Sequence, residues 1–568
     1  MNPIWQQHYY VAGKSLTASA LIAAIPIAIL LYLLAVKRKP VWIAAVAGLG
    51  ATLLLSITAY RMPVPYALSA ALYGAAFGLF PICWIVYWAI ALYRLTIETG
   101  KFEIIKDSIA SLTTDRRIQA LIIAFAFGAF MEGAAGFGTP VAVAAAILAG
   151  VGFSAYYASS LCLLANTAPV AFGSIGIPVI TLAAVTGLPL DRVSGVVGRI
   201  CAPVSLILPA YLVLTMGGCK ALTEVWPAAA VAGVIFATLQ FTISNYVGPQ
   251  LTDIISSLGA ILGILGLLRV WSPLRNQTER FGPDSSFSSL AHISGSQGAG
   301  SDAVNTKLAS APVVLKTYTT RERMVAWLPY VFLVIFVLLW GVKPLVKGLN
   351  AVSLNFSWPF LHNLIRRTPP AVNTSSLYPA VYTFNWLSAS GTSCMFAVLS
   401  SLLLLRVSPK RACTLLYSTL RQLARAILTI SAVLSMAFVM NYSGITATLG
   451  LAFAATGAAF PFFSAFLGWL GVFLTGSDTS ANALFGPLQV VTAGRLGINA
   501  TLAAATNSAG GVMGKMISLQ SIAVAAAATD LPVSEQAKVM RFTLRHSLLL
   551  AALIGMEALL YAYVFPLA

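Results

Sequence analysis

"GAFMEGAAGFGTP", Gly128 to Pro140, interrupts an apolar stretch with a carboxylate, Glu132, and with glycines at 128, 133, 136 and 138. A helix in lipid avoids a charge, and glycine weakens it. The run therefore marks a helix that breaks inside protein or beside a wet cavity, the only places where irregular backbone is tolerated at membrane depth. A second run, "GVFLTGSDTSANA" from Gly471, opens with the same order: Gly, small apolar, Phe, long apolar, polar, Gly. The match sets Glu132 against Thr475, Gly133 against Gly476 and Ala135 against Asp478. Downstream, "ANTAPVAFGSIGIP" brings Asn166 about 38 residues after the first leading glycine, and "TNSAGGVMGKMIS" brings Asn507 about 36 after the second. Two matching strings at nearly equal separation point to an internal repeat.

The 568 residues are 59% hydrophobic and 9% charged, which excludes a soluble domain of this length. Apolar runs of roughly 20 residues recur, each long enough to cross a bilayer core. The net charge of +18 comes from 34 basic and 16 acidic residues. On a soluble chain it would suggest nucleic acid. Here the basic residues orient the spans, so the expected partner is the lipid bilayer and no nucleic acid. Cys83, Cys162, Cys201, Cys219, Cys394 and Cys413 are scattered, and the four histidines are isolated. None has metal-ligand spacing, so neither metal nor cofactor is expected. No basic n-region with a cleavage site precedes the first span, so no removable signal peptide is expected.

The expected full spans are 17–36, 41–60, 66–93, 154–186, 190–216, 223–245, 248–268, 324–342, 378–405, 424–443, 497–528 and 543–566. The stretches 118–151 and 460–494 are broken in the middle by Gly, Pro, Ser and Thr and read as re-entrant hairpins. With Lys37, Arg38 and Lys39 in the cytoplasm, Lys101, Lys106, Arg116, Arg117, the basic residues of 269–323, Arg406, Lys410, Arg411, Lys538 and Arg541 all fall on that side. The outer loop 343–377, with Lys343, Lys347, Arg366 and Arg367, is the exception. Two full crossings in place of a hairpin would leave this charge pattern unchanged. The first hairpin then enters from the cytoplasm and the second from outside. The fold class is an all-α polytopic membrane protein: about twelve transmembrane helices plus two re-entrant helical hairpins in an inverted repeat. Its parts are an N-terminal half, 1–268, a Ser/Gly-rich cytoplasmic linker, 269–323, and a C-terminal half, 324–568. Segment 411–427 reads as an amphipathic interfacial helix.

Such repeats carry their site where the broken segments meet. Free N–H groups and helix dipoles there attract an anion. The expected anion contacts are Gly136, Gly138, Thr139, Asn166, Thr167, Ser477, Thr479, Asn507, Ser508 and Lys515. Glu132, and after it Asp478, are the expected proton carriers, since an intramembrane acid is functional by default. Each has a bland reading: a helix-end carboxylate at the interface or a structural pair with a lysine or arginine for Glu132, a helix cap for Asp478, kinks with self-satisfied polar groups at Asn166 and Asn507, and a snorkelling or paired Lys515. Lys515 follows Gly514 but lacks the leading Gly and the following Ser or Thr of a phosphate loop, so nucleotide is excluded. Arg199 and Glu557 also fall within spans and receive no role.

"FGAFMEGAAGFGTPVA", "NTAPVAFGSIGIP", "FLGWLGVFLTGSDTSANALF", "GKMISLQSIAVA" and "YTFNWLSASGTS" resemble the signature segments of the bacterial lactate permease family, as do "HNLIRR" and "RFTLRHSL". The resemblance runs almost end to end. It departs at Leu519, where the family pattern has Pro. It implies a multi-pass protein of the bacterial inner membrane that takes up L-lactate, and commonly D-lactate and glycolate, by proton symport. Sodium coupling is the alternative, because exposed carbonyls and hydroxyls near the hairpins suit that ion. An intramembrane aspartyl protease using Glu132 with Asp478 is disfavoured, since that chemistry needs two acids sharing a proton. A channel differs from a carrier in having uncoupled flux. No enzyme activity is expected.

Overall fold

A computed structural model describes residues 3–136, 138–273, 318–372 and 374–565. Most of the Ser/Gly-rich linker, 274–317, lies outside them. Among the described residues, eleven helices are long and apolar enough to cross a bilayer, or twelve if the bent pair 155–186 counts as one span.

The first hairpin is built from Arg116–Ala134 and Thr139–Gly150. Arg116 donates to Val151 O and lies over the Phe153 ring, so the strand of chain that enters at 116 leaves beside it at 151. A single crossing would instead separate these residues by the thickness of the membrane. The second hairpin is Phe460–Thr475 and Asp478–Leu496. Phe460 packs with Ala493 and Ala503, which closes its base in the same way. The bases lie at opposite ends of the helix Val533–Tyr563. Phe542 contacts Tyr156, just beyond the first base, whereas Tyr563 donates to Ala458 O at the second. Twenty-one residues separate these contacts, roughly 31 Å of helix axis.

Each hairpin precedes a broken helix. Ala155–Ala165 stops at Asn166, and the chain turns by 66° into the segment ending at Thr186. Ala500–Lys515 stops before Leu519–Thr529. Leu519 occupies the first helical position, where Pro is favoured because its missing N–H would go unused anyway. The break survives without it, because Ser518 caps the new helix by accepting from Ser521 N. The packing is reciprocal. Thr139–Gly150 lies on Leu519–Thr529, and Asp478–Leu496 lies on Gly173–Thr186. The two halves of the chain are thus interleaved.

The helices form two groups. Leu16–Ala35, Val41–Thr58, Val64–Glu98, Thr320–Gly341, Ser390–Leu404 and Pro409–Ser443 pack on one another; the hairpins, broken helices and Leu190–Val270 region form the second group. The predicted spans 190–216 and 223–245 are one helical run, Leu190–Tyr246, that folds back at Gly217 and Gly218. Ser194 Oγ reaches Ser244 O at 2.8 Å across the antiparallel pair. Bonds from Arg94 to Thr419 and from Tyr318 to Asp107 gather three basic loops on one face.

Two expectations are corrected. Segment 411–427 is not a separate interfacial helix, since Pro409–Ser443 is continuous. Nor is 378–405 one helical span. Val381–Phe384 is a strand paired with Leu354–Ser357, and the helix Ser390–Leu404 has 15 residues, about 22 Å. The backbone of 381–384 finds its hydrogen bonds in that strand pair rather than in a helix, and it lies against a break at Phe80, where the backbone is extended (φ −140°, ψ 124°). The Tyr382 hydroxyl fills the gap by donating to Ala76 O and Phe80 O. On the same face Trp5–Gln6 pairs in parallel with Ile365–Arg366.

Candidate functional site

The tip of the second hairpin is set by Gly476, whose φ of +71° ends one helix in the left-handed conformation. Ser477 caps the next helix, accepting from Ser480 N at 3.3 Å. Asp478 is therefore not the cap. It sits in the first turn, where the helix dipole favours a negative charge. Its Oδ2 accepts from Ser508 Oγ at 2.6 Å and from Asn482 Nδ2 at 3.1 Å. Asn482 is held in turn by Asn507 (2.9 Å), Asn507 by Gln489 (3.1 Å), and Gln489 by Ser464 (2.8 Å). This buried relay crosses three helices and fixes the rotamer of Asp478, while Asp478 Oδ1 has no partner. Lys515 closes the tip from the end of its own helix, Nζ donating to Gly476 O at 2.6 Å.

Glu132 lies on the first hairpin helix, whose apolar window is buried throughout. Its Oε2 accepts from Asn166 Nδ2 at 3.1 Å. Gly173 faces the other oxygen: a Cβ there would stand 2.7 Å from Oε1. Asn166 Oδ1 has no partner. The Lys515 ammonium lies within electrostatic range of both Glu132 and Asp478. At the first tip, Gly136 has a φ of +59° and accommodates Ser174, whose hydroxyl donates to Ala135 O at 3.0 Å.

A cavity of about 150 Å³ joins these elements. That is well below the roughly 300–1,000 Å³ of drug-sized sites and suits a molecule of a few heavy atoms. Glu132, Ser477, Asp478, Thr479 and Lys515 line it, together with Val170, Ile177, and Thr429 and Ile430 from Pro409–Ser443. Its wall is thus shared between the two helix groups. Exposed Gln520 and partly buried Val41 also line it, and Val41 follows the basic Lys37–Lys39.

Gly136, Gly138, Thr139, Asn166, Thr167, Asn507 and Ser508 do not line the cavity. Asn166 and Ser508 stand one layer behind it, on the two acids. Asn507 is part of the relay, Thr167 bonds back to Leu164 O, and Gly138 faces Val524. The expected register between the two strings also shifts. Gly133 is helical and packs on Asp253, so Gly136 corresponds to Gly476 in conformation. Asn166 sits at its break, whereas Asn507 lies inside a continuous helix eight residues before Lys515. Sequence reasoning missed Ser174, Gln520, Thr429 and Asp253. Only Asp253 carried a signal, an acid within the apolar run 248–268.

A bundle of bilayer-length helices, broken around a small, partly polar, lysine-bearing cavity, defines a polytopic membrane transporter. The L-lactate permease family model matches residues 19–565. The glycolate permease GlcA of Escherichia coli (strain K12) is 44% identical over 99% of this chain and 98% of its own length. An L-lactate permease of Salmonella typhimurium is likewise 44% identical, over 99% and 98%. The YdaH transporter of Alcanivorax borkumensis gives a TM-score of 0.40 at 14% identity, covering 84% of each chain. The chain belongs to the L-lactate permease family. It is a multi-pass inner-membrane transporter and not an enzyme, which disposes of the protease reading.

Proposed function

We propose that the protein imports L-lactate, with D-lactate and glycolate, by proton symport. The observation that carries this reading is the composition of the cavity: an ammonium and helix-start hydroxyls on one wall, an apolar surface on another, and two buried carboxylates at its edge. The substrate carboxylate lies against Lys515, Ser477 and Thr479, a charge-assisted set. The methyl group of lactate lies against Val170, Ile177 and Ile430; glycolate leaves that space unfilled. Asn166 and Ser508 act through Glu132 and Asp478, holding each acid in place. Glu132, and secondarily Asp478, carry the proton. A proton offsets the charge of the anion, so the membrane potential no longer opposes entry.

Alternating access follows from an inverted repeat spanning 1–268 and 324–568. Supporting it are the hairpin bases at opposite ends of Val533–Tyr563 and the reciprocal packing of hairpins on broken helices. The hairpin group moves against the group containing Pro409–Ser443, and the cavity at their seam faces one side and then the other.

Sodium coupling is the second reading, favoured by the unpartnered oxygens Asn166 Oδ1 and Asp478 Oδ1. Uptake of labelled L-lactate into proteoliposomes with an imposed proton or sodium gradient decides. Uphill accumulation on the proton gradient alone is expected, with competition by glycolate and D-lactate. Accumulation on sodium alone replaces the proton reading, and flux that never runs uphill replaces both with a channel.

A further inference from the structure

Asp253 is the buried acid without a role in the reading above. It lies in the first turn of Thr252–Val270, is 1% exposed, and neither carboxylate oxygen has a hydrogen-bond partner. Structural acids in this protein look different. Asp115 receives Arg117 on both oxygens, at 3.1 and 2.8 Å. Asp253 instead abuts the first hairpin: a Cβ on Gly133, the residue after Glu132, would stand 2.8 Å from Asp253 Cβ. The Glu132 and Asp253 carboxylates act on each other electrostatically. From Leu190–Tyr246, Cys201 is within range of Asp253, Asp478 and Glu557. The other packed elements, Ala120–Phe127 and Gly173–Thr186, bring no titratable group.

Glu132 and Asp478 therefore share the one ammonium of Lys515, while Asp253 has Glu132 as its charged neighbour. An unpaired ion at such a position costs several kcal/mol. Among the described residues, the Asn166 amide is the side-chain donor to the Glu132–Asp253 pair, and Asn166 Oδ1 itself lacks a donor. A proton supplies what this acceptor-rich cluster needs.

We propose that Asp253 is a second proton-binding group of the transporter, paired with Glu132 across the Gly133 contact. The proposal rests on the proton-symport reading. In each cycle one carboxylate oxygen of the pair forms an O–H bond with a proton from water on the entry side. The bond breaks when that proton returns to water on the exit side, and nothing else is made or broken. Asp253 thereby links proton movement to the packing of the hairpin on Thr252–Val270.

The test uses the full chain in proteoliposomes, as wild type, Asp253→Asn and Asp253→Glu. Two quantities are measured across a pH series: accumulation of labelled L-lactate on a proton gradient, and lactate–lactate counterflow, which needs binding and carrier movement but no net proton transfer. For Asp253→Asn, accumulation falls to the gradient-free level while counterflow persists; for Asp253→Glu, accumulation persists with a displaced pH profile. Wild-type accumulation and pH profile in Asp253→Asn overturn the proposal. Equal loss of counterflow and accumulation also overturns it, by making Asp253 structural. If Asp253→Asn fails to insert, a wild-type pH profile for Asp253→Glu overturns it. Wild-type protein driven by sodium and not by protons marks failure of the symport reading itself.

Discussion

Replacing Lys515 by Met separates a substrate contact from a structural one. The ammonium donates to Gly476 O at 2.6 Å and faces a cavity with Glu132 and Asp478 on its walls. If it also pairs with the substrate carboxylate, its loss removes a hydrogen bond to a charged group, about 1.5–3 kcal/mol. At 1.4 kcal/mol per decade that is a rise of roughly 10- to 150-fold in the apparent KM for L-lactate. Loss of the Gly476 bond alone acts differently: it loosens the hairpin tip and lowers the amount of protein in the membrane, without a selective effect on KM. The assay is the concentration dependence of initial uptake, normalised to inserted protein, for wild type, Lys515→Met and Lys515→Arg. Arg restores a cation and recovers part of the affinity. An unchanged KM in Lys515→Met, at any expression level, refutes the assignment of Lys515 to substrate.

Glu132→Gln keeps an amide able to meet Asn166 but carries no titrating proton; uphill accumulation on a proton gradient is lost while counterflow remains, and full accumulation removes Glu132 from the role. Arg117→Ala leaves buried Asp115 and half-buried Glu224 without their shared cation; breaking such a pair costs about 3–5 kcal/mol, read as a lower thermal midpoint in detergent. Cys219 and Cys413 are exposed, whereas the other four cysteines are buried. With Lys220 and Lys410 beside them and the basic loops expected in the cytoplasm, an impermeant maleimide labels both in inside-out vesicles and neither in right-side-out ones.

The span assignments were legible because crossing a bilayer is a local demand: about 20 apolar residues in a row, with basic residues at one set of ends. Where a span contains a break, the limits became harder to read. The expected 66–93 is Val64–Glu98 with an extended residue at Phe80, and the expected 378–405 is mostly strand and loop before a short helix. An apolar run does not say whether its hydrogen bonds close within the run or with a neighbour, and here Tyr382 bonds to another element. The glycine-rich breaks at 128–140 and 471–483 were visible because left-handed backbone calls for glycine. Their register was not, because Gly133 and Gly136 look alike in sequence and differ only in what packs on them.

By itself, then, the sequence determined a polytopic helical protein, basic loops gathered on one face, two interrupted hairpins, and a lactate permease resemblance carried by long contiguous motifs. The acids Glu132 and Asp478 and the lysine Lys515 stood out because charge is costly in an apolar run wherever that run folds. Only the tertiary structure decided which polar groups share a cavity. Ser508 and Asn166 stand behind the acids they orient, Thr429 enters from a distant helix, and Asp253 meets Gly133 across some 120 residues of chain. Those relations arise from packing between separate helices, and no local pattern encodes a contact between segments so far apart in sequence.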